Sequence, residues 1–198
     1  MTKQLTRERI IQAALILFKD KGYTATSTRE IAKKAGVNHL TLFRHFENKR
    51  NLFRESVVHH VTSSHFFDGI KEKLTEDLRE DLTLIAKAYL EENIDKNSVF
   101  WVYLTEAAQD PELSELIMEI PKRLNDFLAT YLSKLHGHKK ISSGNFQMIS
   151  HMFFSLLNQY IMFHRFPAFH HTFPGSIDDF IDECVDLFQM KLEKDMLF

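Results

Sequence analysis

A chain of 198 residues with 44% apolar side chains can bury a real core, and its six Gly and four Pro favour a compact helical protein over a disordered or β-rich one. The single cysteine, Cys184, excludes an internal disulfide and fits a reducing cytoplasm. The net charge of −2 hides a split: residues 1–60 hold 12 Lys/Arg against 5 Asp/Glu, and residues 61–198 hold 13 against 22. A basic head on an acidic body points to a polyanion bound at one end only.

Helical periodicity runs almost without a break, with no internal repeat and hardly any strand-like alternation. A first helix is expected over about Thr6–Lys21, with Thr6 as N-cap, Ile10, Ala14, Leu17 and Phe18 on one face, and Gly22 as its stop. The second opens on Ser27-Thr28-Arg29-Glu30, a capping box in which Ser27 and Glu30 satisfy each other's free backbone donors. It carries Ile31, Ala32 and Ala35 and stops at Gly36. A very short third helix follows over about Asn38–Phe46, with Leu42, Phe43 and Phe46 available to a core. Asn48 caps a fourth, which continues through Leu52, Phe53, Val57 and Val61.

Past residue 65 the expected helices lengthen. One runs near Glu76–Asp95, one near Ser98–Gln109, and one over Pro111–His136 with Pro121 as a kink. Gly137–Ser143 reads as a loop, Gly144–Arg165 as a long apolar helix, and Pro167–Gly175 as a second loop. Ser176 caps a last amphipathic helix ending about Lys194. The N-terminus has charges with no apolar stretch behind them, so no secretory signal is expected. The most apolar segment, Phe153–Phe166, is broken by Ser155, Asn158, Gln159, His164 and Arg165 and is too polar to span a membrane. These features suggest a soluble, cytoplasmic protein with no membrane partner.

Helix two, the turn at Gly36 and helix three have the spacing of a helix-turn-helix, in which the second helix of the pair lies in the DNA major groove. Gly36 permits the turn, Ala32 and Ala35 allow close approach, and Val37 plugs the corner. The outward face of helix three then shows His39, Thr41, Arg44 and His45, donors suited to base edges or phosphates.

The run Ile31-Ala32-Lys33-Lys34-Ala35-Gly36-Val37-Asn38-His39-Leu40-Thr41-Leu42-Phe43-Arg44-His45-Phe46-Glu47-Asn48-Lys49 resembles the signature of the tetracycline-repressor (TetR) family. Ala13-Ala14, Phe18, Gly22-Tyr23 and Thr26-Ser27 also fall where that family has matching residues, so the resemblance covers about Arg7–Phe53. It implies phosphate contacts from Thr28 and Arg29 at the start of helix two, and from Lys49 opening helix four. It implies base-edge or groove contacts from His39, Thr41 and Arg44, with Phe43 and His45 bracing the sugar-phosphate backbone. Two positions depart from the family pattern. Phe43 stands where Tyr is usual, which removes a hydroxyl, and Leu40 stands where Gly, Ala or Pro is frequent, so it either meets a thymine methyl or packs.

In that family the body surrounds an apolar effector cavity, and its two C-terminal helices form a four-helix bundle with a second chain. The resemblance therefore implies an effector pocket drawn from Phe100, Trp101, Tyr103, Leu104, Met118, Phe127, Tyr131, Met152 and Phe153, for a small lipophilic or flat aromatic ligand. Ordinary core is the competing reading of these aromatics. The last two helices each carry wide apolar stripes, from which a homodimer seam of Phe153, Leu157, Tyr160, Ile161, Phe180, Cys184, Leu187 and Phe188 is expected. The 11 His raise a metal hypothesis at His59-His60 with His65, or His164 with His170-His171, but no zinc-like spacing exists and only one thiol is present. No phosphate loop, paired acid or activated nucleophile points to catalysis, and no cofactor is expected. The overall expectation is all-α: a three-helix helix-turn-helix DNA-binding domain over residues 1–60 and a larger helical effector-binding and dimerisation domain over 61–198. Its expected partners are a near-palindromic double-stranded operator, a second copy of the chain and a small apolar effector.

Overall fold

Capping chemistry sets most of the helix boundaries. The computed structural model describes residues 3–63, 66–94, 108, 111–166 and 175–193. The regular structure among them is helical: α1 (Lys3–Ala25), α2 (Thr28–Lys34), α3 (His39–Phe46), α4 (Lys49–Ser63), α5 (Phe66–Lys71), α6 (Leu78–Asn93), α7 (Pro111–Gly137), α8 (Phe146–Arg165) and α9 (Ile177–Leu192). Ser27 and Glu30 form the reciprocal capping box expected of them, and Asn38 accepts from the Leu40 amide at 2.9 Å. Asn48 accepts from the Asn51 amide at 2.8 Å, and Ser176 makes a second capping box with Asp179. Asp77 caps α6 through the Glu80 amide, so that helix starts two residues later than periodicity suggested. Thr6, expected as a cap, lies inside α1, and the short α5 had no counterpart in the sequence reading. The expected helix Ser98–Gln109 lies outside the described residues. At Gly22 the backbone leaves the helix (φ 80°, ψ 168°), which ends the regular part of α1 where a C-terminal glycine should.

The chain divides into two compact units, Met1–Ser64 with Asn97–Ile120, and His65–Lys96 with Pro121–Phe198. Helix α7 supplies residues to both, the change falling between Ile120 and Pro121. Pro121, expected as a kink, lies within one helix. In the first unit α1 packs chiefly on α4, and α2 bridges α1 and α3. Ile10, Ala14, Leu17, Phe18, Ile31, Ala32, Leu42 and Phe46 form its core with Leu52, Phe53 and Val57 of α4 and Ile117 of α7. Phe18 meets Phe53 edge-on at 5.1 Å. The buried Thr26 hydroxyl reaches the carbonyls of Leu17 at 3.1 Å and Gly22 at 2.7 Å, which ties the α1–α2 connection to α1.

In the second unit α6 packs on α8 and α9 over a core that includes Leu82, Ile85, Leu90, Phe153, Leu157, Ile181 and Val185. Asp81, 1% exposed, is the polar knot of this unit. Its carboxylate accepts from the amides of Thr75 and Glu76, both at 2.8 Å, and from the Tyr131 hydroxyl. Burial, and then the hydrogen bond to Asp81, push the Tyr131 phenol well above its ordinary range. Arg79 of α6 pairs with Asp186 of α9, and Lys87 with Asp178 at 3.0 Å.

Burial within the single chain bears on two expectations for the body. Of the residues expected at a seam between chains, Phe153, Leu157, Tyr160, Ile161, Cys184 and Phe188 are at most 7% exposed within the single chain. They are covered by its own helices: Phe153 stacks edge-on with Phe154 and Phe188, and Tyr160 lies between His164 and Phe180. Of that group Leu187 is exposed (61%) and Phe180 is half-buried. The uncovered apolar side chains of the same helices are instead Met148, Met152, Leu156 and Met162 on α8, and Leu187 and Met190 on α9. An apolar helix shows its hydrophobicity in sequence, but which side faces its own core depends on how its neighbours dock.

The second expectation, the effector pocket, lies only partly within the described residues. Phe100, Trp101, Tyr103 and Leu104 lie outside the described residues. Met118 and Met152 are exposed, Phe153 is core, and the Tyr131 hydroxyl is engaged by Asp81. Phe127 is half-buried, with the Lys71 ammonium 6.0 Å from its ring centre. Burial raises the Cys184 thiol to about 12, which removes it as a nucleophile. No described helix is long and apolar enough to cross a membrane. Among the described residues no cluster of His, Cys, Asp or Glu is placed to hold a metal ion.

Candidate nucleic-acid interface

The short α3 is amphipathic in the simplest way: Leu42 and Phe46 are buried, while Leu40 (59% exposed) and Arg44 face outward. Leu40 therefore does not pack into the core of this chain. Thr41, Phe43 and His45 are half-buried along the flanks. Arg29 of α2 is exposed beside them, and among the described residues neither Arg29 nor Arg44 is tied to another side chain. Both guanidinium groups are thus presented, long and charged, to whatever docks on this face.

Several of the other expected contacts are held by the protein itself. Thr28 Oγ1 lies 2.9 Å from His39 Nε2, and the His39 ring stands perpendicular to Phe43 at 4.7 Å. The Lys49 ammonium sits 4.2 Å over the Tyr23 ring and 3.4 Å from the Thr24 carbonyl, which fastens the start of α4 to the end of α1. His45 lines a separate groove of ≈ 790 Å³ together with Phe46, Glu47, Asn51, Arg54, Glu55, Val58 and Glu115.

Two arginines that build this face were missed in the sequence. Arg9 of α1 donates to the Ala35 carbonyl at 2.5 Å and reaches that of Gly36 at 3.5 Å. A cation there sits at the C-terminal end of α2, where the helix carbonyls are unsatisfied and the dipole is negative. Gly36 itself adopts φ +63°, a left-handed backbone that favours glycine, and a Cβ on it would fall 2.8 Å from Arg9 Nη2. Arg7 pairs with Glu55 at 2.5 Å and lies 5.5 Å over the Phe46 ring, bracing α3 from the other end. No local pattern marks either residue, because both act on segments more than 25 positions away. On the opposite side of α2, Lys21 pairs with Glu30 at 2.6 Å, and that bond, with those from Ser27, lowers the Glu30 carboxyl to about 2. The result is a rigid turn carrying an exposed basic face.

Comparison with known proteins agrees with this geometry. Residues 10–56 match the family described as bacterial regulatory proteins, tetR family, and residues 80–191 match the AefR-like transcriptional repressor, C-terminal domain. The HTH-type transcriptional regulator YvkB of Bacillus subtilis is 32% identical over 160 residues, covering 81% of this chain and 82% of that one. The biofilm operon icaADBC negative transcriptional regulator IcaR of Staphylococcus epidermidis is 26% identical over 133 residues, 66% of this chain and 71% of its own. A crystal structure of a TetR-family transcriptional regulator from Mesorhizobium loti shares the fold, with a TM-score of 0.82 at 24% identity, covering 98% of this chain and 100% of that one. With a helix-turn-helix built as described and both segments matched, the chain belongs to the TetR family of bacterial transcriptional regulators, a DNA-binding protein and not an enzyme.

Proposed function

We propose that this regulator is a homodimeric repressor that holds a near-palindromic operator and releases it when a small lipophilic or aromatic effector enters its helical body. The observation that carries the reading is the outward face of α3, where Leu40 and Arg44 are exposed on a helix whose other side is locked into the core. In this reading residues 1–60 are the DNA-binding domain and 61–198 the effector-binding and dimerisation domain. Arg44, Thr41 and Leu40 meet base edges, and Arg29, Lys49 and Thr28 meet phosphates. Pairing is supported by the exposed Met148, Met152 and Leu156 on α8 with Leu187 and Met190 on α9, apolar surface that a second copy would cover. Phe100, Trp101, Tyr103 and Leu104 are the proposed effector contacts. Release requires that the effector bind better to the form that cannot hold the operator, a two-state coupling.

The test is a selection of binding sequences from random duplexes by the full chain, followed by affinity measurements at several salt concentrations. A two-fold-symmetric sequence should emerge, with half-sites about one helical turn apart. Lys49→Ala should weaken every sequence alike and flatten the slope of log K against log[salt] by roughly one. Arg44→Ala should instead relax preference at one base pair, at about 1–3 kcal/mol per half-site, and Arg44→Lys should restore general affinity more than selectivity. Selection of no sequence, or an Arg44→Ala protein indistinguishable from wild type, refutes the assignment of α3.

A further inference from the structure

Two of the residues expected to touch DNA touch each other first. Thr28 opens α2 and His39 opens α3, and the Thr28 hydroxyl oxygen lies 2.9 Å from the His39 Nε2. The imidazole is also held from within its own helix, perpendicular to the Phe43 ring at 4.7 Å. Both Thr28 and His39 are half-buried, whereas Leu40 beside them is 59% exposed and Arg44 is exposed. A side chain that reads a base edge needs a free polar tip. The tip atom of His39 is already in a hydrogen bond inside the protein.

We propose that His39 is a positioning residue and not a base reader: its Nε2–H donates to Thr28 Oγ1 and so turns the Thr28 hydroxyl hydrogen toward a DNA phosphate. This rests on the reading of the α2–α3 face as the DNA contact. The direction follows from the inventory of donors. A phosphate oxygen only accepts, and a threonine hydroxyl has one hydrogen and two lone pairs. Were Thr28 to donate to His39, its single hydrogen would be used and a lone pair would face the phosphate. With Nε2–H as donor, the Thr28 oxygen accepts from His39 and keeps its hydrogen for the DNA. A hydroxyl that accepts one hydrogen bond is also polarised to donate the next more strongly. Base choice then falls to Leu40, Thr41 and Arg44.

The test uses the full chain, a duplex enriched by the wild type from a random library, and a scrambled duplex of the same composition. His39→Ala and Thr28→Val should each weaken both duplexes alike, by about tenfold, the scale of one charge-assisted hydrogen bond. The double variant should be no weaker than Thr28→Val alone, because the two side chains act through one contact. His39→Gln retains an N–H donor and should recover most of the affinity, with an unchanged melting temperature and an unchanged selected sequence. It also keeps the test open should His39→Ala fail to fold. If His39→Ala shifts preference at one base pair, or if the two losses multiply, His39 contacts DNA on its own account and the proposal is overturned while the interface stands. A His39→Gln protein as weak as His39→Ala overturns the donor role as well. Should the wild type enrich no duplex, the interface reading itself fails and takes the proposal with it.

Discussion

Leu157 and Leu187 look alike in the sequence, each on a wide apolar stripe, yet one is 0% exposed and the other 61%. Aspartate at each position separates core from surface. At Leu157 the change removes a fully covered side chain, which for Leu→Ala costs about 2–5 kcal/mol including the cavity left behind. An unpartnered carboxylate in its place adds several kcal/mol more. The sum, about 5 kcal/mol or above, rivals the whole stability of a typical domain, ~5–15 kcal/mol. At Leu187 only the smaller part of the side chain is covered, so the lost transfer energy is about 1 kcal/mol or less and the new charge stays in water. Urea unfolding followed by circular dichroism, with sedimentation equilibrium on the same samples, reads both effects. Leu157→Asp should lose cooperative unfolding of the helical body, and Leu187→Asp should keep its helicity and lose dimer mass. A Leu157→Asp protein with native helicity and reduced mass would place Leu157 between chains and refute its assignment to the core.

Three further expectations follow from particular contacts. Gly36→Ala places a side chain at φ +63° and pushes on Arg9, which should destabilise the DNA-binding head by about 1–3 kcal/mol in urea titration; wild-type stability would refute the strained turn. Tyr131→Phe removes the hydroxyl that the buried Asp81 accepts from, and should cost about 1–3 kcal/mol by the same measurement; no loss would mean that Asp81 is satisfied without it. Glu30, lowered from 4.5 to about 2, binds its proton more weakly in the folded chain than in the unfolded one, so its contribution to stability is full above about 4.5 and disappears as pH falls through about 2. The stability gap between wild type and Glu30→Gln should therefore close across that interval in acid titrations, and a gap independent of pH would remove the Lys21–Glu30–Ser27 contact as its cause.

Short-range chemistry made the fold class, the helix-turn-helix and most helix starts legible in the sequence. A capping serine or asparagine bonds an amide two or three residues on, a glycine frees a turn, and a 3.6-residue period marks a buried stripe. Ser27 with Glu30, Gly36, Asn48 and Ser176 were legible for that reason, as were Leu42 and Phe46 as the inner side of α3. Packing between distant helices chose which of several apolar faces turns inward and which charged side chains are already engaged. Phe153, Leu157 and Phe188 share apolar stripes with Met148, Met152, Leu187 and Met190, yet the first three are buried in the single chain and the other four are exposed. Arg9 showed no local pattern, since the carbonyl it caps lies 26 positions away. Thr28 and His39 are separate expected DNA contacts in the sequence, and only the docking of α2 on α3 brings that hydroxyl within 2.9 Å of that imidazole. Local bonds are written in neighbouring residues; long-range ones exist only after the chain has paid the entropy of bringing distant segments together, and their partners are set by that packing.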